Sequence, residues 1–509
     1  MDSYSRVVRS PALLWETPES GGVLSNLPEL DVPRDEYTQG KGVPKKRRHL
    51  TIPDHSELEV VRHFKGLGRA NFSIDDTMYP LGSCTMKYNP KISEEVAGNS
   101  VFKNTHPYSE AGEELHARIV HGLQDFLVSL TGLPGVSLTP AAGAQGELSG
   151  VLIIREYQRQ RGSSRQVMLI PDSAHGTNPA SVAMAGLVPK TIKTGPEGRL
   201  RLADVLEVLD ESVAGIMVTN PNTLGIFEHE LPAIAEAVHE IGGLVYGDGA
   251  NFNAIAGIIR PGDLGVDIMH INLHKTFGTP HGGGGPGAGP LCVTRELAPF
   301  LPGPVAVSQT VSHKSTVTEL GNDSNDGREG SRQSFRFVMP ERSVGRVRTF
   351  YGNFGITLRA YVYILVHGLN GIRRNSIQAV LNANYLRKRL QPTLSPAFGD
   401  ECMHEFVCPN PLVTQGVHTI DIAKRMLDYG IHAPTVYFPL IVKEALMIEP
   451  TESESLAQLD ALGEVLEKIV KEGLENAETL KRAPHNLPLG RLDELLANKK
   501  PVYRHRLGG

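Results

Sequence analysis

The chain has 509 residues, more than one hydrophobic core usually spans, so two or three domains are expected. Lysine and arginine number 51 against 56 aspartates and glutamates, a formal charge of −5 that argues against nucleic-acid binding as the main role. Hydrophobic residues make up 40% and charged residues 21%, which excludes a disordered chain, and no uncharged apolar run approaches the length of a membrane span.

The opening MDSYSRVVRSPALLWETPESGG lacks the apolar region of a secretory signal, so an unexported protein is expected. Cys84, Cys292, Cys402 and Cys408 are too few to staple so long a chain and suit a reducing compartment, which points to a cytoplasmic location. The first hundred residues, rich in Pro, Gly and charge, read as an arm. Its basic run Lys45–Arg48 reads as a solvated face, whereas Leu13, Leu14 and Trp15 need a burial site, for which a partner subunit is suited.

From about Glu113 the pattern becomes regular. Leu115, Ile119, Leu123, Phe126 and Leu130 fall on one helical stripe ending before Gly132. Short apolar runs then alternate with helical patterns: VSLTP and a helix from about Gln145, QVMLIP and a segment from about Pro179, VAGIMVT, and LVYGDGA. Between the last two, Pro232 sits near a helix start, and Ile234, Val238 and Ile241 share a face. This alternation predicts an α/β fold with a mostly parallel sheet whose ligand sits beyond the carboxyl ends of the strands.

A mainly helical stretch from about Gly345 to Leu390 leads into a smaller α/β region. There CMHEFV and EALMIEP read as strands and GVHTIDIAKRMLDYG as a helix. Cys402, His404 and Cys408 offer at most three metal ligands at untidy spacing, so a strand with alternate side chains buried is the preferred reading. Thr451 and Glu454 are spaced as a capping box for a last helix that buries Leu456, Leu459, Leu462, Leu466 and Ile469. The expected organisation is an arm and site-lining segment over 1–100, a large domain over 101–345, a small domain over 346–480 and a loosely attached tail over 481–509.

Five features converge on the strand ends. In TPAAGAQGELSG, Gly143 and Gly146 stand at a helix start, where unpaired N–H groups and the helix dipole favour a phosphate. Neither a Walker A motif nor the GxGxxG dinucleotide pattern is present. In PDSAHGTNPAS, His175 can stack on a flat ring, and in VTNPNTLGIFE, Thr219, Asn220 and Asn222 offer hydrogen bonds where turn-making is the alternative role. Asp248 of LVYGDGAN can hold a protonated heterocyclic nitrogen, N-capping being its alternative. Lys275 of MHINLHKTFGTPHGGGGPGAGPLCV follows an apolar run and precedes six glycines, and a partly desolvated lysine can condense with an aldehyde. Together these suit pyridoxal 5'-phosphate, with Asn251 in reach of its phenolic oxygen.

The segments LGSCTMKYNP, NTHPYSE, LTPAAGAQGELSG, DSAHGTNPAS, VTNPNTLGIFE, YGDGAN, NLHKTFGTPHGGGGPGAGP and ECMHEFV resemble the P-protein family of the glycine cleavage system, nearly end to end. The resemblance is to its pyridoxal-phosphate-bearing subunit 2. It implies the fold type I, aminotransferase-like architecture, with Lys275, Asp248 and His175 catalytic, and Gly143, Ala144, Gln145, Thr219, Asn222, Asn251, Asn272 and His274 contributing with them to the cofactor site. It also implies decarboxylation of glycine, transfer of the aminomethyl group to a lipoylated H protein, and a separate subunit 1 in a heterotetramer. LGSCTMKYNP, with Lys87, and NTHPYSE, with His106, are candidates to line the lipoyl channel. Arg359 is available for the glycine carboxylate without being marked by a motif. An aminotransferase or desulfurase of the same fold, and a non-catalytic docking subunit, are the alternatives.

Overall fold

The computed structural model describes residues 12–17, 55–281, 287–314 and 329–503. The basic run Lys45–Arg48 and the glycines 282–285 lie outside the described residues. Seven strands form the main sheet: β1 Gly135–Ser137, β2 Val167–Pro171, β3 Val188–Ile192, β4 Val213–Thr219, β5 Leu244–Gly249, β6 Ile268–Ile271 and β7 Leu291–Val293. Their spatial order is β1-β7-β6-β5-β4-β2-β3, parallel except that β7 runs against both neighbours.

The central strands β4, β5 and β6 are buried throughout because both faces are covered. Val213, Ile216 and Val218 of β4, with Val245 of β5, enter one core, while Ala214, Met217, Leu244 and Tyr246 enter the opposite one. Helix Gly143–Gln160 seals the second face with Val151, Ile153 and Ile154. Helix Glu110–Thr131 and the first half of Phe354–Leu390 seal the first.

Glu110–Thr131 starts ahead of the expected Glu113 because the Ser109 hydroxyl accepts a hydrogen bond from Gly112 N at 3.2 Å, and it ends where Gly132 takes φ 74°. Its most buried line runs through Ala117, Val120, Leu123, Leu127 and Leu130. Leu115, Ile119 and Phe126 are only partly covered. The long helix and an antiparallel hairpin, β8 Val305–Lys314 and β9 Glu329–Val338, pack on it and so rotate the buried face. Phe354–Leu390 is broken at Gly368 (φ 64°, ψ 169°), so that Ile356, Ala360 and Ile364 join the large core while Ala383, Leu386 and Leu390 join the small one.

The small domain carries β10 Phe406–Pro409, β11 Thr435–Val436 and β12 Ala445–Ile448 in the antiparallel order β10-β12-β11. Three expectations are corrected here. Strand β10 starts only at Phe406, and His404 to Cys408 are all buried, rather than alternating, because both sides of the segment are packed. The helix Leu456–Glu475 is capped by Ser455 through Gln458 N, and Leu456 is exposed rather than inward. Thr451 lies in the left-handed region (φ 63°), and its carbonyl accepts from Asn382 Nδ2 at 2.8 Å, so no Thr451/Glu454 box forms.

The arm segment is tied in at several points. Leu81 bridges Ile448 beside β12, and Thr435 Oγ1 donates to Gly82 O at 2.6 Å. Trp15 lies in a single turn, Leu14–Glu16, with Leu14 O 2.6 Å from His55 Nε2. The tail is also held, since Arg491 donates to Asp421 Oδ1 at 2.6 Å and to Ala483 O at 2.9 Å. Among the described residues no helix is long and apolar enough to cross a membrane.

Candidate active site

Strand register builds the site. Thr219 pairs with Asp248 across β4 and β5, and Asp248 with His270 across β5 and β6, so one row of side chains crosses three neighbouring strands near their carboxyl ends. All three line a cavity of about 240 Å³. Lys275, in the one-turn helix Leu273–Thr276 that follows β6, reaches the same cavity. So do Gly143, Ala144, His175, Asn251, Asn272 and His274.

Gln145 and Asn222 do not line it, because the fold consumes their polar atoms. Gln145 accepts from Ala141 N at 2.6 Å and donates to Val347 O at 2.9 Å, locking the loop before its helix. Asn222 donates to Gly198 O and Glu228 Oε1 and accepts from Leu224 N and Ile226 N, which closes the NPNTLG turn. Asn220 is likewise engaged, donating to Glu228 O at 3.2 Å and accepting from Glu228 N at 2.9 Å.

Asp248 is 3% exposed. Its Oδ2 accepts from Asn178 Nδ2 at 3.1 Å, its Oδ1 from Ala250 N at 2.9 Å, and its Oδ1 lies 3.4 Å from His270 Nε2. Burial opposes the charge but is outweighed by His270, Asn178, Ala250 N–H and Lys275, which hold the carboxyl below its ordinary range. His270 Nε2 also faces Asn272 Oδ1 at 3.2 Å. Both neighbours are acceptors, so Nε2 carries a hydrogen, and Nδ1 lies 2.8 Å from the Tyr246 hydroxyl.

His175 stands exposed at the mouth, with Nδ1 2.8 Å from Thr177 Oγ1 and its ring edge-on to Phe438 at 5.6 Å. Thr177 in turn donates to Glu147 Oε1 at 2.9 Å. His274 is kept neutral by burial, then by His281 and Lys275, its value falling to about 3.

The residues fit the phosphate-bearing pyridine aldehyde on three observations. No side chain caps the helix that begins at Gly143, so its first N–H groups face the cavity as anion donors. A Cβ at Gly143 would lie 2.3 Å from Asn272 Nδ2, so only glycine lets that helix start approach the β6 loop. Thr219 Oγ1 and Asn251 Oδ1, both buried, have no hydrogen-bond partner among the described residues, and both residues line the cavity.

The sequence reading missed Glu147, Thr177, Asn178 and His270. His270 sits inside the apolar run IMHI, where a lone histidine reads as core. Asn178 and Thr177 were in hand within the HGTNPAS motif. Lys87 does not line the cavity but is buried behind it. It forms an ion pair with Glu452, donates to Asn253 Oδ1 at 2.6 Å, and donates to Thr276 O at 2.9 Å, next to Lys275. Ser83 of the same segment does line the cavity. NTHPYSE lines a different cavity of about 400 Å³, where His106 joins Phe102, His116, Phe350 and Phe354. Arg359 is committed elsewhere, donating to both Glu94 oxygens at 2.8 Å.

A family profile described as glycine cleavage system P-protein matches residues 35–318, and one described as glycine dehydrogenase, C-terminal domain, matches 375–489. The chain is 48% identical over 500 residues to a probable glycine dehydrogenase (decarboxylating) subunit 2 of Thermotoga petrophila, covering 97% of this chain and 99% of that one. The chain belongs to the glycine cleavage system P-protein family.

The corresponding probable subunit 2 of Caldanaerobacter subterraneus subsp. tengcongensis is 48% identical over 501 residues, covering 97% and 98%. Among solved structures, an inhibitor-bound glycine decarboxylase (P-protein) superposes with a TM-score of 0.67 at 20% identity, over 86% of this chain and 93% of that one. An apo cysteine desulfurase of Thermococcus onnurineus NA1 gives 0.57 at 15% identity, over 78% and 95%. The fold is the type I fold of pyridoxal-phosphate enzymes. Membership of the P-protein family brings pyridoxal 5'-phosphate as cofactor, and the designation of the relatives as subunit 2 implies a partner subunit 1.

Proposed function

We propose that this chain is the catalytic subunit that decarboxylates glycine and passes the aminomethyl group to the lipoyl arm of an H protein, working with subunit 1. The observation that carries the reading is the convergence of Lys275 and Asp248 on one cavity in a member of the P-protein family. Bound pyridoxal phosphate supplies the electron sink for the glycine α-carbon.

The chain's own residues have separable tasks. Lys275 would hold the aldehyde carbon of the cofactor through Nζ, and its amine would give way there to the amine of glycine. Asp248, kept ionised, stabilises positive charge at the ring nitrogen, and His270 with Asn178 fixes its orientation. The N–H groups at Gly143 and Ala144 receive the phosphate. Asn251 and Thr219 present their unpartnered oxygens to polar groups at the ring's rim. His175, steadied by Thr177 and Phe438, covers the mouth where the ring plane and the incoming arm meet.

Exchange of labelled bicarbonate into glycine tests this, using the purified chain with cofactor, subunit 1 and lipoylated H protein, each omitted in turn. Exchange that depends on H protein is expected. Turnover of amino acids at full rate without H protein would replace the reading with an aminotransferase or desulfurase.

A further inference from the structure

Three side chains outside the cavity lining meet where the small sheet joins the large one. His404 and Glu405, just before β10, and Glu449, just after β12, are each 0% exposed, with their polar atoms within 4.8 Å of one another. His404 Nε2 lies 3.9 Å from both Glu405 Oε1 and Glu449 Oε1. Among the described residues neither ring nitrogen of His404 has a hydrogen-bond partner, nor does Glu449 Oε1. The other carboxylate oxygens are well supplied: Ser83 N donates to Glu405 Oε2 at 2.6 Å, Asn251 Nδ2 to Glu405 Oε1 at 3.1 Å, and Thr85 N to Glu449 Oε2 at 3.0 Å.

Two carboxylates this close in a dry interior do not both ionise. A divalent cation is a poor answer to the surplus charge, because the ammonium of Lys275 acts on all three members and that of Lys87 on His404. The remaining charged or titratable neighbours are Glu452, beyond Glu449, and the thiol of Cys84, which both carboxyls push upward. A proton is the answer that remains. Ser83 and Asn251, which bond to Glu405, line the Lys275 cavity, so the cluster lies directly behind the reaction space.

We propose that Glu405 and Glu449 hold one proton between them and that this buried pair is the reservoir for the proton consumed in aminomethyl transfer. The delivery half rests on the reaction proposed above. In that reaction the glycine zwitterion, the lipoyl disulfide and one proton give carbon dioxide and a protonated aminomethyl group on one lipoyl sulfur, with a thiol at the other. The C–C and S–S bonds break, a C–S and an S–H bond form, the α-carbon is oxidised and the disulfide is reduced. The departing sulfur needs that proton within the cleft that Lys275 lines. Lys275, which lines the cavity and interacts with the pair, carries it across once its amine is free, and solvent refills the pair between turnovers. Burial and the neighbouring carboxylate push Glu405 well above its ordinary range. Burial above all lifts Glu449 to about 7, and burial, with the two lysines, drops His404 to about 3, leaving the imidazole neutral.

Infrared titration of the full chain tests the storage half without cofactor or turnover. The wild type is expected to show a carboxylic-acid C=O stretch at pH 7 that shifts in D2O and disappears in mild alkali, and Glu405→Gln and Glu449→Gln are each expected to lose it. Other buried carboxyls, such as Glu228 and Glu454, contribute equally to all three proteins and cancel in the difference spectra. If neither glutamine variant folds, Glu449→Asp must move the titration midpoint. No difference band, or one that emerges only after a chelator strips a metal, overturns the proposal.

For delivery, single-turnover transfer to lipoylated H protein is followed against pH. The wild type should slow in mild alkali as the pair empties, and the glutamine variants should be roughly tenfold or more slower without that limb. Their Schiff-base absorbance should stay intact. Wild-type rate and pH profile in both variants would overturn delivery alone. Failure of the wild type to transfer at all would overturn the reading of the reaction, and the infrared result would still decide whether the proton is held.

Discussion

Asp248 and His270 face each other across the paired strands β5 and β6, Oδ1 to Nε2 at 3.4 Å, each almost fully buried. The imidazole N–H keeps the carboxylate charged, and the charge is aimed at the cavity. Replacing Asp248 with Asn preserves shape and removes the charge that holds a ring nitrogen protonated. Asp248→Asn should therefore retain bound cofactor, visible by its absorbance, while glycine decarboxylation falls by about 100-fold or more. Unchanged turnover would show that the ring charge is held by another group.

Gly143 is the second point of leverage. Its hypothetical Cβ would sit 2.3 Å from Asn272 Nδ2, so Gly143→Ala must push the helix start away from the β6 loop. Overpacking of this kind costs about 1–3 kcal/mol. The expected outcome is a lower melting temperature together with weaker pyridoxal phosphate binding in a spectroscopic titration. Loss of stability with unaltered cofactor affinity would remove the helix start from the phosphate site.

Lys87 and Glu452 form an ion pair with side chains 2% and 7% exposed. Removing one partner strands the other charge, so Lys87→Met should destabilise the protein by about 3–5 kcal/mol, and Lys87→Met with Glu452→Gln should recover much of it in denaturant unfolding. Burial would lower the lysine, but Glu452, Tyr363 and Glu449 outweigh it and raise Lys87 above its ordinary range. A folded value above the unfolded one means the contribution is complete below pH ~10 and is lost as pH climbs through the folded value. Stability near neutral pH should accordingly be insensitive to the titration of Lys87.

Arg359 binds both oxygens of Glu94 at 2.8 Å on the partly exposed helix Lys91–Ala97. Arg359→Ala should cost about 1 kcal/mol or less and leave the KM for glycine unchanged. A large rise in KM would return this arginine to the substrate.

The alternation of the central strands with helices and the loops that carry chemistry were readable from the chain, because hydrophobic period and turn residues act over a few positions, whereas the sheet order, β3, β7 and the β8–β9 hairpin were not read. GDG after LVY, HKT after IMHI and GAQG after LTP each sit where a strand or helix boundary forces them. Capping was less readable. The Thr451 and Glu454 spacing suits a box, yet Thr451 is drawn into a left-handed turn by Asn382 from another helix, and Ser455 takes over. Gln145 and Asn222 carry the right chemistry in the right loops, but their hydrogen bonds are consumed by Val347 and Glu228.

Local pattern by itself determined the alternation of strand and helix, and with it Asp248 near the carboxyl end of one strand and Lys275 just beyond another. Tertiary structure alone decided which groups share a charge. Glu452 reaches Lys87 across 365 positions, and Ser83 reaches Glu405 across 322. Such pairings depend on which distant segments close around a dry space, where desolvation makes each unpartnered charge expensive, and no spacing along the chain encodes that.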